Sequence, residues 1–313
     1  MIDLIVSALA FVVVLMVPYA LPSIGIAFGG RSGMFNVASE GIMLVGASVG
    51  FLGTHLTGSL AIGILLAVIV GGIFGLTFAF LCSTLKLNQF VVGTLLFIAG
   101  TGLATLLYKI VIGLIIVAPS ITVLQNIPIP GLSLIPIIGP IFFNQNILVY
   151  TTFLLVIALR FLLYKTTIGL KIRSVGENPR AADSLGIHVF RIHYVCVIIG
   201  SMLMSLAGAY LPLIFSGLYT DGITAGRGWI AIPLTILGRW SPVSIFLASF
   251  LFAGVETVAY RAQAAGVGLP YQLLLMLPYF VTILVAIWAY KGAKYPAAVG
   301  KPYDRESPMG FEG

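Results

Sequence analysis

The chain has 313 residues, 60% hydrophobic and 8% charged, against about a quarter charged in ordinary soluble domains. A water-soluble fold of this length cannot hide so much apolar surface. The basic excess, 16 Lys and Arg against 9 Asp and Glu, sits in short stretches between apolar runs rather than in a phosphate-binding stripe, which excludes nucleic acid as a partner.

The reading is an all-α integral membrane protein, a single transmembrane domain over 1–313 with the lipid bilayer as its solvent. Runs near the roughly 20 residues that cross a bilayer fall at 3–20, 36–54, 59–82, 90–110, 147–164, 192–214, 243–260 and 270–290. Two shorter apolar pieces, 21–30 and 229–238, are too brief to cross without kinking or burial in protein. Counting both gives about ten transmembrane elements, two of them short or broken. The first 30 residues hold no Lys or Arg, so there is no basic region of a cleaved signal peptide. Cys82 and Cys196 lie in apolar runs without metal-ligand spacing and read as small packing residues.

Between 111 and 146 the chain is apolar, but Pro119, Pro128, Pro130, Pro136 and Pro140 break any regular helix. An outer cap of short segments is expected there. The densest charge follows at 165–191, KTTIGLKIRSVGENPRAADSLGIHVFR, with five basic residues. Short basic loops are retained on the cytoplasmic side. The tail 291–313 carries Lys291, Lys294, Lys301 and Arg305 and belongs on the same side. An even number of crossings must then separate the two, and counting back through Lys86 puts the N-terminus in the cytoplasm as well.

Within 165–191, Asn178 suits a helix cap and Pro179 the first turn. Ala181, Ala182 and Leu185 offer a small apolar face for a soluble partner, and Gly186 ends the turn. Asn36 and Glu40 stand four apart at the start of a span and share a helix face. An intramembrane carboxylate is a functional candidate by default, so this pair is a candidate for the substrate path. Against that, Glu40 suits the first turn of a helix, and Arg31 is available as its partner. Glu256, Arg261 and Arg227 read as a structural ion-pair cluster near the outer ends of spans, with Asp221 beside them. Arg239 and Trp240 read as an interfacial anchor, and His55, His188 and His193 as loop or interface residues.

A weak internal echo pairs Gly30-Arg31-Ser32-Gly33 with Gly226-Arg227-Gly228, each followed by an apolar run. An inverted repeat would place such segments on opposite sides, with the substrate path between the repeats.

Four stretches in order, GRSGMFNVASEGIMLVGA (30–47), GENPRAADSLGI (176–187), GSMLMSLAGAYLPL (200–213) and GRGWIAIPLTILGRWSPV (226–243), resemble the permease subunits of ABC importers for simple sugars and nucleosides. Branched-chain amino acid permeases are more distant relatives in the same broad group. The resemblance covers about residues 20 to 290, with GENPRAA its most specific piece. One departure is that Gly29-Gly30 precede Arg31 where an acidic residue is usual.

The resemblance implies that Gly176, Glu177, Asn178, Pro179, Arg180, Ala181, Ala182, Leu185 and Gly186 form the helix that seats in a cytoplasmic ATPase subunit. It also implies a second permease subunit, identical or not, and an extracytoplasmic solute-binding protein. The chain itself is expected to be no enzyme and to hold no cofactor, since it lacks G-x-x-x-x-G-K-[ST]; Gly300-Lys301 is followed by Pro302 and has no upstream Gly. The alternatives are a branched-chain amino acid ABC permease and an ion-coupled secondary transporter. The scarcity of ionisable groups inside the spans argues against the latter. Nothing resembles a channel filter of repeated carbonyl or acidic residues.

Overall fold

The computed structural model describes residues 2–113, 118–266, 270–290 and 295–304. Lys291, Lys294 and Arg305, counted in the basic tail, lie outside the described residues. The chain is helical almost throughout: α1 (Ile2–Leu15), α2 (Val17–Gly30), α3 (Ser39–Thr57), α4 (Leu60–Ala79), α5 (Gln89–Ile112), α6 (Ile138–Phe142), α7 (Ile147–Lys165), α8 (Thr167–Glu177), α9 (Pro179–Ser184), α10 (Val189–Tyr210), α11 (Arg227–Leu237), α12 (Pro242–Ala264) and α13 (Tyr271–Tyr290). Two wider π turns, Phe80–Thr84 and Leu211–Ser216, extend α4 and α10.

Six helical lengths are long and apolar enough to cross a membrane: Asp3–Gly30, Leu60–Thr84, Gln89–Ile112, Ile147–Lys165, Val189–Ser216 and Pro242–Ala264. The first merges α1 and α2. The expected break at 20/21 falls instead at Met16, just ahead of Pro18, and the backbone carries on with Ala20 N–H bonded to Met16 O. At 28 residues this length spans about 42 Å, enough for one tilted passage rather than two. Pieces 3–20 and 21–30 are therefore one passage.

α3 and α10 form the centre. α10 packs on α2, α3 and α4, and α3 on α4 and α5. Small residues allow this closeness, as in membrane helices generally. α2 and α10 cross at Gly25 and Gly200, where a Cβ on either would collide with the backbone of the other. α3 is buried along nearly its whole length, in keeping with its Gly, Ser and Thr content, and so faces protein rather than lipid.

The Pro-rich stretch is the irregular cap expected. A two-residue antiparallel ladder joins β1 (Ile127–Pro128) to β2 (Asn144–Gln145), followed in space by a short turn at Leu132–Leu134 and by α6. Ile121 N–H and Leu124 N–H bond the carbonyls of Gly217 and Leu213, tying the cap to the end of α10.

The two ends of the bundle differ in charge. At one, Gly33, Lys86, the 165–191 segment and residues 295–304 converge. Among described residues this end carries Arg31, Lys86, Arg160, Lys165, Lys171, Arg173, Arg180, Arg191, Arg239 and Lys301. The other end has Lys109 and Arg261. The start of the chain lies at the sparsely charged end: Arg261 donates to Ser7 Oγ (2.8 Å) and Gln145 Nε2 to Ala10 O (3.4 Å). The start of the chain therefore lies at the end of the bundle away from residues 295–304, not beside them as expected; the C-terminus lies outside the described residues. The N-terminal 30 residues carry no basic residue to orient them, and merging α1 with α2 removes one crossing from the count.

Candidate functional site

The 165–191 segment folds as a helical elbow at the basic end. Thr166 caps α8 through Gly169 N–H (3.1 Å), and Asn178 caps α9 by accepting from Ala181 N–H (3.0 Å), with Pro179 in the first turn. Gly186 then takes φ +79°, and Ile187 N–H reaches back to Ala182 O (3.1 Å). A glycine in the left-handed region closes a helix this way because it has no Cβ to strain. Asn178, Pro179 and Gly186 therefore hold the places read from the sequence.

The apolar face is divided differently from the expectation. Ala182 points inward and is buried with Val175, Val189 and Tyr303. Ala181 and Leu185 stay outside, and Leu185 is 81% exposed. Gly176 is buried because Arg31 O lies where its Cβ would stand. Glu177 accepts from Ala297 N–H (3.4 Å), and Arg180 faces solvent.

Residues 295–304, within the basic tail 291–313, strap this elbow to the bundle. Ala298 N–H bonds Gly176 O (2.9 Å) and Gly300 N–H bonds Gly33 O (3.2 Å). Tyr303 OH donates to Asp183 (3.0 Å), and Lys86 pairs with Asp304 (2.7 Å). No spacing rule links residues more than a hundred positions apart, so only the fold discloses these contacts.

Asn36 and Glu40 do not share a helix face. The helix begins at Ser39, after a non-helical stretch 34–37, so four-residue spacing carries no helical meaning at Asn36. Its Oδ1 accepts from Ala38 N–H (3.0 Å) and its Nδ2 donates to Ser201 Oγ (3.1 Å). Glu40 is 6% exposed in the first turn of α3, within the bundle and level with Phe97 of α5, against which Gly41 packs.

Arg31 is not its partner. The guanidinium of Arg31 donates instead to Trp240 O (2.9 Å), Arg239 O (3.0 Å) and Tyr164 OH (3.1 Å) at the basic end. The Glu40 carboxylate accepts from Thr224 Oγ1 (2.6 Å), Gly226 N–H (2.9 Å) and Gly228 N–H (2.7 Å). It thus caps the start of α11 while sitting in the first turn of α3, so the positive ends of two helices converge on one buried negative charge.

The Arg227–Glu256 ion pair expected from the sequence is present and buried, at 5% and 8% exposure. Arg261 stands apart from it, on Ser7. Asp221 accepts from Thr105 Oγ1 (3.0 Å). The pair borders a cavity of about 150 Å³ that Tyr19, Tyr260, Gln263 and Tyr279 also line. Arg227 Nε and Glu256 Oε2 have no hydrogen-bond partner among the described residues. These two atoms are shut off from the cavity, so a guest there would meet the tyrosine and Gln263 side chains of the lining instead. The tyrosines went unnoticed in the sequence because aromatics abound in apolar runs.

Trp240 is no interfacial anchor. It is buried against Gly30, Phe35 and Tyr295; Arg239 beside it is exposed. His193 is buried in α10 within 3.1 Å of Ser83 Oγ, whereas His55 and His188 are exposed at helix ends. Cys82 and Cys196 are buried and unpaired with each other. Among the described residues no cluster of His, Cys, Asp and Glu could hold a metal ion.

The chain matches, over residues 8–286, the family described as the branched-chain amino acid transport system / permease component. A Haloferax volcanii protein, TsgC13, provisionally named a glucose ABC transporter permease, is 35% identical to it across 91% of this chain and 94% of its own. The guanosine ABC transporter permease protein NupQ of Bacillus subtilis is 32% identical, covering 96% of this chain and 98% of its own. The nucleoside ABC transporter permease protein NupC of Lactococcus lactis is 34% identical over the same shares, 96% and 98%. An apolar helical bundle that matches one permease family along nearly all its helices, and is alike end to end with sugar and nucleoside permeases, belongs to that family: the chain is an ABC importer permease of the simple-sugar and nucleoside type.

Proposed function

We propose that the chain forms the translocation path for a nucleoside or simple sugar and is driven by a separate ATPase through 165–191. The observation that carries the coupling is Leu185. A large apolar side chain, 81% exposed on a well-capped helix at the basic end, lies beyond the spans and so outside lipid, and it has the chemistry of a contact awaiting a soluble partner. The two caps and the 295–304 strap make the elbow stiff enough to transmit a push to Gly33 and to the α4–α5 turn at Lys86. The basic end is cytoplasmic on this reading. ATP is bound and hydrolysed by the partner, and an extracytoplasmic binding protein delivers cargo to the far end. A second permease subunit, identical or not, completes the path.

Nine passages fit this arrangement: α1 with α2, α3 with its non-helical lead-in, α4, α5, α7, α10, α11 with the loop ahead of it, α12 and α13. α3 and α11 both start inside the bundle, as broken helices do in folds built from inverted repeats. Glu40 acts on the path by holding that junction, since its carboxylate is already spent on three donors. Asn36 braces the lead-in against α10. Sugars and nucleosides present hydroxyls and ring faces, and the cavity beside Arg227 and Glu256 is walled by tyrosines and Gln263, side chains that suit such guests.

The test is Leu185→Asp in the assembled transporter. Losing a buried leucine contact should weaken ATPase association by about tenfold or more and stop uptake, with membrane insertion unchanged. Undiminished association would remove 165–191 from the coupling role.

A further inference from the structure

An open groove of about 450 Å³ lies between the last turns of α7 and the start of α12, lined by Ile157, Arg160, Phe161, Tyr164, Lys165 and Ser241. It sits at the basic end, and its two walls differ in chemistry.

The polar wall gathers positive charge. Arg160 and Lys165 are exposed in the lining. Tyr164 brings in two more cations: Arg31 donates to its hydroxyl (3.1 Å), and the Arg173 guanidinium stands 5.2 Å from its ring centroid. Arg239 follows, its carbonyl accepting from Arg31. Among the described residues the two ion pairs, Lys86–Asp304 and Arg227–Glu256, involve none of these five cations. Among the described residues no carboxylate lines the groove, and Arg173 Nε is buried without a hydrogen-bond partner. Ser241 stands at the N-terminus of the 23-residue α12, yet its hydroxyl makes no capping bond. That end adds free N–H groups and a positive dipole.

The other wall is apolar. Ile157 and Phe161 are 65% and 61% exposed, and Leu154, 66% exposed, continues their stripe along α7 away from the basic end. The spacing i, i+3, i+7 keeps the three on one helix face. A soluble anion would use only the charged wall, and an acidic peptide would have no use for a stripe running into the bilayer. A molecule with an anionic head and a hydrocarbon chain uses both.

We infer that this groove binds an anionic phospholipid, its phosphate among Arg160, Lys165 and Ser241 and an acyl chain along Leu154, Ile157 and Phe161. Basic pockets between membrane helices hold anionic head groups by this combination of charge and depth.

Native mass spectrometry of the purified full chain, titrated in detergent with phosphatidylglycerol or with phosphatidylcholine of the same acyl chains, tests the assignment. Phosphatidylglycerol should be retained preferentially. Arg160→Gln and Lys165→Gln should each lower that retention about fivefold, and together about 25-fold, without changing phosphatidylcholine. Arg160→Lys with Lys165→Arg should keep it, as should Lys171→Gln, which removes an exposed cation outside the groove. Equal retention of both lipids, an equal loss from Lys171→Gln, or inorganic phosphate bound as tightly as the lipid would each overturn the assignment. Because the single variants alter exposed side chains, reading them separately keeps the test decisive if the double variant fails to fold.

Discussion

At the scale of single residues, the membrane interior makes every buried polar group a specific commitment. Glu40 has three donors converging on two oxygens, and the donors come from the one place where α11 lacks internal partners. A Glu40→Gln variant keeps the shape but offers one carbonyl and an NH₂ group, so at least one of Thr224 Oγ1, Gly226 N–H and Gly228 N–H is left facing a donor. An unsatisfied buried donor costs about 1–3 kcal/mol, and the charge–dipole attraction is lost as well. Denaturant unfolding of the purified chain in detergent should register that loss. A change below about 0.5 kcal/mol, the usual range for surface substitutions, would mean the carboxylate does not close this junction.

At the scale of elements, close helix packing depends on where side chains are absent. Gly200 meets Gly25 backbone to backbone, whereas nothing stands within 4 Å of where a Cβ on Gly102 would lie. Gly200→Val should cost at least the 1–3 kcal/mol typical of overpacking and lower the yield of monodisperse protein. Gly102→Val should be neutral or slightly favourable, since valine is a better helix former than glycine. Parallel purification with thermal unfolding of the two variants checks this, and similar behaviour would contradict the α2–α10 crossing.

Elements of this kind were largely legible beforehand. Apolar length marked the helices, clustered prolines marked the cap, and Asn178, Pro179 and Gly186 marked α9 to within a residue, because caps and turns are local chemistry. The partners of Glu40 and Arg31 were not legible. Each finds its contacts roughly 130 to 210 positions away, partly on backbone atoms that no side-chain pattern announces. Trp240 misled for a related reason: an aromatic beside an arginine at a span end resembles an interfacial anchor, until Gly30 makes room for its ring inside.

At the scale of the whole molecule, the decisive quantity is the number of passages between the start of the chain and the strap at 295–304. Charge alone could not decide it. Lys and Arg orient loops, and the first basic residue is Arg31, so the opening apolar stretch could cross once or twice without changing any charged loop. Packing favours one crossing, because Ser7 reaches Arg261 and Ala10 reaches Gln145 at the end away from Lys86 and Asp183. Cysteine accessibility reads this directly. Cys82 and Cys196 are buried, leaving a quiet background for a membrane-impermeant maleimide. Asp3, Lys171 and Lys301 are all exposed, so Asp3→Cys, Lys171→Cys and Lys301→Cys can be compared in sealed vesicles of either orientation. Lys171→Cys and Lys301→Cys should label together, and Asp3→Cys only from the opposite face. If all three label from one face, α1 and α2 are two passages and the chain makes an even number of crossings.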